Sequence, residues 1–290
     1  MKRIKQPPLI AILVFLVLFA VGCGAGGDAQ TSATTTLEPP AAATTTTAPT
    51  TAFSSYTFAV CGDNRITGIE NGILQKIVDS AKANGAPFIV NTGDITTSGT
   101  REELWRYREF TEASGIRFYN VPGNHDVGKG GVNADYESVI GPYYYSFDYG
   151  GDHFVVLDNA DDATGIDAAQ TQWYTAGLDS HKNQRRQFIF THIPVASPSL
   201  PSGHVAGEKG NAGFKSGQQL VQEASRHANV DAMFFGHIHA YVPYRLDGVD
   251  AYITGGAGAP LYFPENAGGF YHYLLVKVSD EKVEVQVVRV

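Results

Sequence analysis

The sequence predicts an α/β fold in which two packed sheets carry helices on their outer faces. Three observations predict it. Apolar runs alternate with helical spacing from Tyr56 to Val121, which implies parallel strands joined by helical crossovers. Two further apolar runs, 187–190 and 231–235, are short enough to be buried strands. The remaining strands come as hairpins, marked by Tyr149-Gly150-Gly151 and Asp247-Gly248.

The elements follow in order. Residues 56–62 form a first strand, and 69–83 a helix with Ile73, Ile77 and Val78 on one face, stopped by Gly85. Residues 87–91 are a second strand, 101–113 a second helix and 117–121 a third strand. Residues 143–148 and 152–157 flank the first hairpin turn, and 170–178 form a short helix. A helix near 218–227 lies between the two buried strands. Residues 240–246 and 249–254 flank the second turn, and 271–278 and 283–288 pair around Ser279-Asp280-Glu281.

Residues 1–23 have a different character. Lys2, Arg3 and Lys5 precede an unbroken apolar run, 9–21, that ends at Gly22-Cys23. This is the layout of an export signal. The run is short of the roughly 20 apolar residues of a membrane span, and an uncleaved anchor helix is the alternative. Ala20-Val21-Gly22-Cys23 resembles a bacterial lipoprotein cleavage box, with Ala20 where leucine is usual. Either way the chain is expected to be exported, at the cell surface or in the periplasm, and held at a membrane by lipid or helix. Residues 24–53, rich in Thr, Ala and Pro, cannot bury enough apolar surface to offset the entropy of ordering, and are expected to be a disordered linker. Residues 54–290 are one domain's worth of chain. The net charge of −8 disfavours non-specific nucleic-acid binding. It leaves small anionic substrates open, because bound metal ions carry positive charge of their own. If Cys23 carries lipid, Cys61 has no partner for a disulfide.

Five short stretches end on metal-binding side chains: Gly62-Asp63, Gly93-Asp94, Gly123-Asn124-His125-Asp126, Thr191-His192 and Gly236-His237-Ile238-His239. Asp63, Asp94 and Asn124 follow one another at about 30 residues, the length of a βαβ unit. Each therefore falls at the carboxyl end of a successive parallel strand, on the sheet edge where α/β folds bind ligands. His192 and the His237/His239 pair follow the two buried strands. In extended backbone, positions 237 and 239 project to the same side. Carboxylate, amide oxygen and imidazole together suit Mn, Fe or Zn rather than calcium.

This ordered set resembles the calcineurin-like metallophosphoesterase superfamily, and within it the branch of purple acid phosphatases and cyclic phosphodiesterases. The superfamily signature is Asp-x-His, Gly-Asp, Gly-Asn-His, a later His and Gly-His-x-His. The resemblance implies two metal ions. It makes Asp94 the bridging ligand, assigns Asn124, His192 and His237 to one ion, and assigns Asp63 and His239 to the other. It gives His125 the role of general acid or of hydrogen-bond donor to the phosphate, with Asp126 orienting it. The implied reaction is hydrolysis of a phosphomonoester or phosphodiester by hydroxide held between the two ions.

One position departs from the signature. Asp63-Asn64-Arg65 has arginine where the family has its histidine ligand, and arginine has no acceptor. A water or the Asn64 side chain could fill the gap. Arg65 itself either reaches the substrate phosphate, which its planar fork suits, or pairs with an acid on the rim. The departure also keeps a rival reading open: a non-catalytic or weakly active binding module with an incomplete first metal site. His153, His181, His227 and His272 are expected to serve packing or surface roles. His204 and Lys209, in a Gly/Pro/Ser-rich loop, are expected to be solvated, with a contact to substrate as the alternative.

Overall fold

A computed structural model describes residues 55–128, 130–161, 165–195 and 212–290, with 212–216 described by backbone alone. The expected leader, the linker, and the loop with His204 and Lys209 lie outside the described residues. In chain order the elements are β1 (Tyr56–Cys61), α1 (Arg65–Glu70), α2 (Ile73–Ala83), β2 (Phe88–Asn91), α3 (Arg101–Ser114), β3 (Arg117–Asn120), α4 (Asn124–Val127) and α5 (Ala134–Val139). Then come β4 (Tyr145–Tyr149), β5 (Asp152–Val156), α6 (Ala168–Ser180), β6 (Gln187–Phe190), α7 (Ala212–Ser225), β7 (Val230–Phe235), β8 (Tyr241–Leu246), β9 (Val249–Thr254), β10 (His272–Val278) and β11 (Val283–Arg289).

Two mixed sheets result. The first has the order β11-β10-β1-β2-β3, and the second β4-β5-β6-β7-β9-β8. Strands β1, β2 and β3 are parallel, as are β5, β6, β7 and β9. The hairpin strands lie outside them and run antiparallel. Their inner faces share an aromatic layer: the Phe58 ring of β1 lies 5.2 Å from Phe154 of β5 and 5.3 Å from Phe188 of β6. Each such ring pair adds about 0.5–1.5 kcal/mol beyond its buried area. The outer face of the first sheet is covered by α2 and α3, through Leu74, Ile77, Leu104 and Tyr107. Tyr174 and Leu178 of α6, with Leu220 and Val221 of α7, cover the second. This is the two-sheet sandwich with outer helices that the sequence predicts.

Several local details differ from the sequence reading. The single helix expected over 69–83 is two, broken at Asn71-Gly72, where Gly72 takes a left-handed φ of 74°. Helix α6 starts earlier than expected because Asp167 caps it, accepting from the Gln170 N–H at 2.7 Å. The short helices α4 and α5 lie in segments with too few turns to show a periodicity. No helix among the described residues is long and apolar enough to cross a membrane.

Candidate metal centre

Every expected ligand lies just past the carboxyl end of a strand. Asp63 follows β1, Asp94 follows β2, Asn124 opens α4 after β3, His192 follows β6 and His237 follows β7. The strand-end loops are tied across the sheet. The Asp63 N–H donates to the Gly93 carbonyl at 2.8 Å, the Arg65 N–H to the Asp94 carbonyl at 2.9 Å, and the Gly236 N–H to the His192 carbonyl at 2.9 Å. Asp63, Arg65, Asp94 and His237 all take left-handed φ, between 47° and 67°. Among the described non-glycine residues only Asp247, in the β8–β9 turn, shares that conformation. Backbone strain of this kind concentrates where a site needs it. Gly123 is required for close approach, since a Cβ there would lie 2.1 Å from the Asp94 nitrogen.

Four side chains close into a cage. Asn124 Oδ1 lies 3.0 Å from His192 Nε2 and 2.9 Å from His237 Nδ1. His237 Nδ1 is 3.3 Å from His192 Nε2, and His192 Nε2 is 3.2 Å from Asp94 Oδ1. Four donors each about 2.0–2.2 Å from one ion take up such spacings. The Thr92 carbonyl accepts from His192 Nδ1 at 2.8 Å, which fixes the tautomer and turns Nε2 into the cage. The Asn159 carboxamide oxygen accepts the backbone N–H groups of His192 and Ile193 at 3.1 and 2.9 Å. Burial disfavours a charged His192, but Asp94 outweighs it and pushes the imidazole up to about 9. Burial alone would raise Asp94; His192 first and His125 second hold it well below the usual carboxylate range.

The second donor set is smaller. Asp63 and His239 face each other, with His239 Nε2 3.4 Å from Asp63 Oδ1. Pro260 fixes His239 by accepting from Nδ1 at 2.6 Å. The backbone N–H of His237 donates to both Asp63 oxygens, at 3.1 and 2.9 Å. Residues 236–240 are not extended as the sequence reading assumed. Two successive tight turns, Ile238 N–H to Gly236 carbonyl and Ala240 N–H to Ile238 carbonyl, place the two imidazoles instead. Asn64 is turned away: its Oδ1 accepts from Asn91 and its Nδ2 donates to the Arg65 and Ile95 carbonyls.

Arg65 enters the site. Its Nη2 lies 2.8 Å from His125 Nε2 and 3.6 Å from Asp94 Oδ2. The His125 ring is held from its other side, where Nδ1 meets the Thr97 carbonyl at 2.7 Å. Asp126 acts on this loop through the backbone. It accepts from Ile95 N–H, Thr96 N–H, Thr96 Oγ1 and Gly123 N–H at 2.7–3.2 Å, locking the Asp94 loop to α4. Burial and then Asp94 push its carboxyl up to about 7, against the pull of those donors.

Thr92, Thr97, Asn159 and Tyr262 were not singled out from the sequence. Tyr262 stacks on His239 with centroids 4.5 Å apart and is 60% exposed at the rim. Only the polar run Thr96-Thr97-Ser98, close after Gly93-Asp94, hinted at any of them. Asp148, His153 and His181 also gather. The two imidazoles stack at 3.5 Å with planes 10° apart, so their in-plane lone pairs run side by side instead of converging on one ion.

A family model described as calcineurin-like phosphoesterase matches residues 56–241, from β1 to the start of β8. The chain belongs to the calcineurin-like phosphoesterase family. Among solved structures, this family member is similar to a purple acid phosphatase from seeds of yellow lupin (Lupinus luteus), at 17% identity and a TM-score of 0.59, over 81% of this chain and 53% of that one. It is thus similar to about half the length of the lupin protein. It is also similar to a dimetal phosphatase from Danio rerio, at 16% identity and a TM-score of 0.60, over 80% of this chain and 95% of that one. A third likeness is to an anchor protein of the inner membrane complex of Plasmodium, at 14% identity and a TM-score of 0.60, over 81% and 84% of the two chains. At these identities the likeness is one of fold. No curated protein matches the chain by sequence. The two-ion pattern of the calcineurin-like phosphoesterases thus meets two unequal donor sets in this member.

Proposed function

We propose that the chain is a metal-dependent phosphoester hydrolase, acting on a small phosphomonoester or phosphodiester outside the cytoplasm. The observation that carries this reading is the preformed cage of Asn124, His192 and His237, with donor atoms 2.9–3.3 Å apart, and Asp94 3.2 Å from His192. A bound Mn, Fe or Zn ion supplies Lewis acidity and a water whose pKa is lowered toward about 7. The chain's own residues do the rest. The cage side chains hold the cation at the sheet edge, and the Thr92 carbonyl keeps His192 in the ligating tautomer. Arg65 binds the substrate phosphate, a charge-assisted contact roughly twice as strong as a neutral one. In the resting geometry Arg65 donates to His125 Nε2. An arriving phosphate draws the guanidinium off the ring. Nε2, freed of the arginine, takes a proton from solvent and passes it to the leaving oxygen, while the Thr97 carbonyl keeps the Nδ1–H and holds the ring in place. Export and membrane tethering are part of the proposal, supported by the basic start, the apolar run 9–21 and the Thr/Ala/Pro-rich stretch.

The test is a hydrolysis screen of the purified full chain over mono- and diesters with added Mn, Fe or Zn. Asp94→Ala and His237→Ala are expected to abolish turnover together with metal content. Full turnover in a metal-depleted Asp94→Ala variant refutes the mechanism. Arg65, standing where the family has a ligand, favours the second reading, a non-catalytic binding module. That reading gains if the metal-loaded protein cleaves none of the panel.

A further inference from the structure

We propose that this chain holds one metal ion tightly, in the Asp94–Asn124–His192–His237 cage, and that the Arg65 guanidinium provides the second positive charge. The inference rests on reading that cage as the metal site, and three observations carry it further.

The first is the donor count. Among the described residues, the second set has only Asp63 and His239 beside Asp94. The two replacements open to the sequence were a water and Asn64. The Asn64 oxygen is taken by Asn91 at 2.8 Å, inside the buried network behind the site. Among the described residues no protein donor makes up the loss.

The second is the way Asp94 divides its two oxygens. Oδ1 faces the cage, 3.2 Å from His192 Nε2, and Oδ2 faces Arg65 Nη2 at 3.6 Å. A carboxylate that bridges two ions through both oxygens divides them in the same way, so the guanidinium lies on the side that a second ion held in that mode would use.

The third is that Arg65 is built in. Its backbone is left-handed, with φ at 47°. Its N–H is tied to the Asp94 carbonyl, and its side chain is 16% exposed. Its Nη2 is anchored on His125, and its Nε is buried with no hydrogen-bond partner among the described residues. Arginine stays charged at every working pH. An ion at Asp63, His239 and Asp94 Oδ2 would face that charge among buried side chains, and like charges repel most where screening is weakest. Arginine and a second cation thus compete for Asp94 Oδ2, and the arginine is covalently present.

The experiment is metal content after loading the full chain with Mn(II) and dialysing, read by elemental analysis and by electron paramagnetic resonance. The native chain is expected to retain one Mn(II) with the spectrum of an isolated ion. Arg65→His restores the missing donor and removes the charge, and is expected to retain two with a spin-coupled spectrum. Arg65→Lys keeps a charge without a fork and is expected to stay at one. Two coupled ions in the native chain overturn the proposal and leave the phosphoesterase reading intact. Arg65→His folded but still at one ion overturns the role given to Arg65. His237→Ala is expected to empty the site; an undiminished ion there refutes the cage, and with it the reading of the function.

Discussion

Asp94 is the residue on which the site turns. It is buried to 1% exposure, takes a left-handed φ of 53°, and divides its oxygens between His192 and Arg65. Its backbone carbonyl also holds the Arg65 N–H. A change here moves the cage and the arginine together. His125 is different, because it contacts the site from a position 33% exposed and is outside the cage. His125→Ala is therefore expected to keep its metal and lose about 10²–10⁴-fold in kcat, the usual range for a lost general acid. Steady-state kinetics with parallel metal analysis checks this. Native kcat in the variant removes His125 from the proton-transfer role.

At the scale of elements, strand ends and the loops after them do the positioning. The first residue of β10 shows what such packing costs. His272 is wedged against Gly256, where a Cβ would come within 2.1 Å of its ring nitrogen. Nδ1 donates to the Phe270 carbonyl at 2.7 Å, and Nε2 is buried without a partner among the described residues. Burial leaves no room for a charge and pushes this imidazole from its ordinary 6.5 down to about 4. The unfolded chain therefore binds this proton more readily than the folded one. The contribution to stability is whole above pH 6.5 and is lost as pH falls toward 4, by on the order of 3 kcal/mol. Melting curves of the metal-free protein across that window are expected to fall more steeply for the native chain than for His272→Gln. Equal slopes in the two proteins contradict the assignment.

At the scale of the whole molecule, the ligands come from both sheets. Asp63, Asp94 and Asn124 follow strands of the first sheet, and His192, His237 and His239 follow strands of the second. The aromatic layer between the sheets brings the two edges together, and a bound ion ties them. Binding to the folded state alone stabilises it by about 2.7 kcal/mol when free metal is 100-fold above Kd. For a domain of this size that is roughly 5–10 °C in melting temperature. Calorimetry with and without a chelator is expected to show such a drop in the native chain and none in His237→Ala. A melting temperature indifferent to chelation argues that the ion does not join the sheets.

The alternation of strands and helices, the hairpin turns and the glycine-led ligands at βαβ spacing are local features, written in consecutive residues. They were enough to put Asp63, Asp94 and Asn124 on one edge, because parallel strands point the same way. Which partner each ligand meets was settled only by the fold. His192 and Asn124 are 68 positions apart, and His237 and Asn124 113 apart. The capture of Asn64 by Asn91, the Thr97 carbonyl behind His125 and the double turn at 236–240 depend on contacts or backbone conformations with no local sequence period. Arg65 shows the division most clearly. Its identity, legible in the sequence, removed a ligand by chemistry alone. Its direction, into the site against Asp94 and His125, came from a left-handed backbone and neighbours brought together by packing.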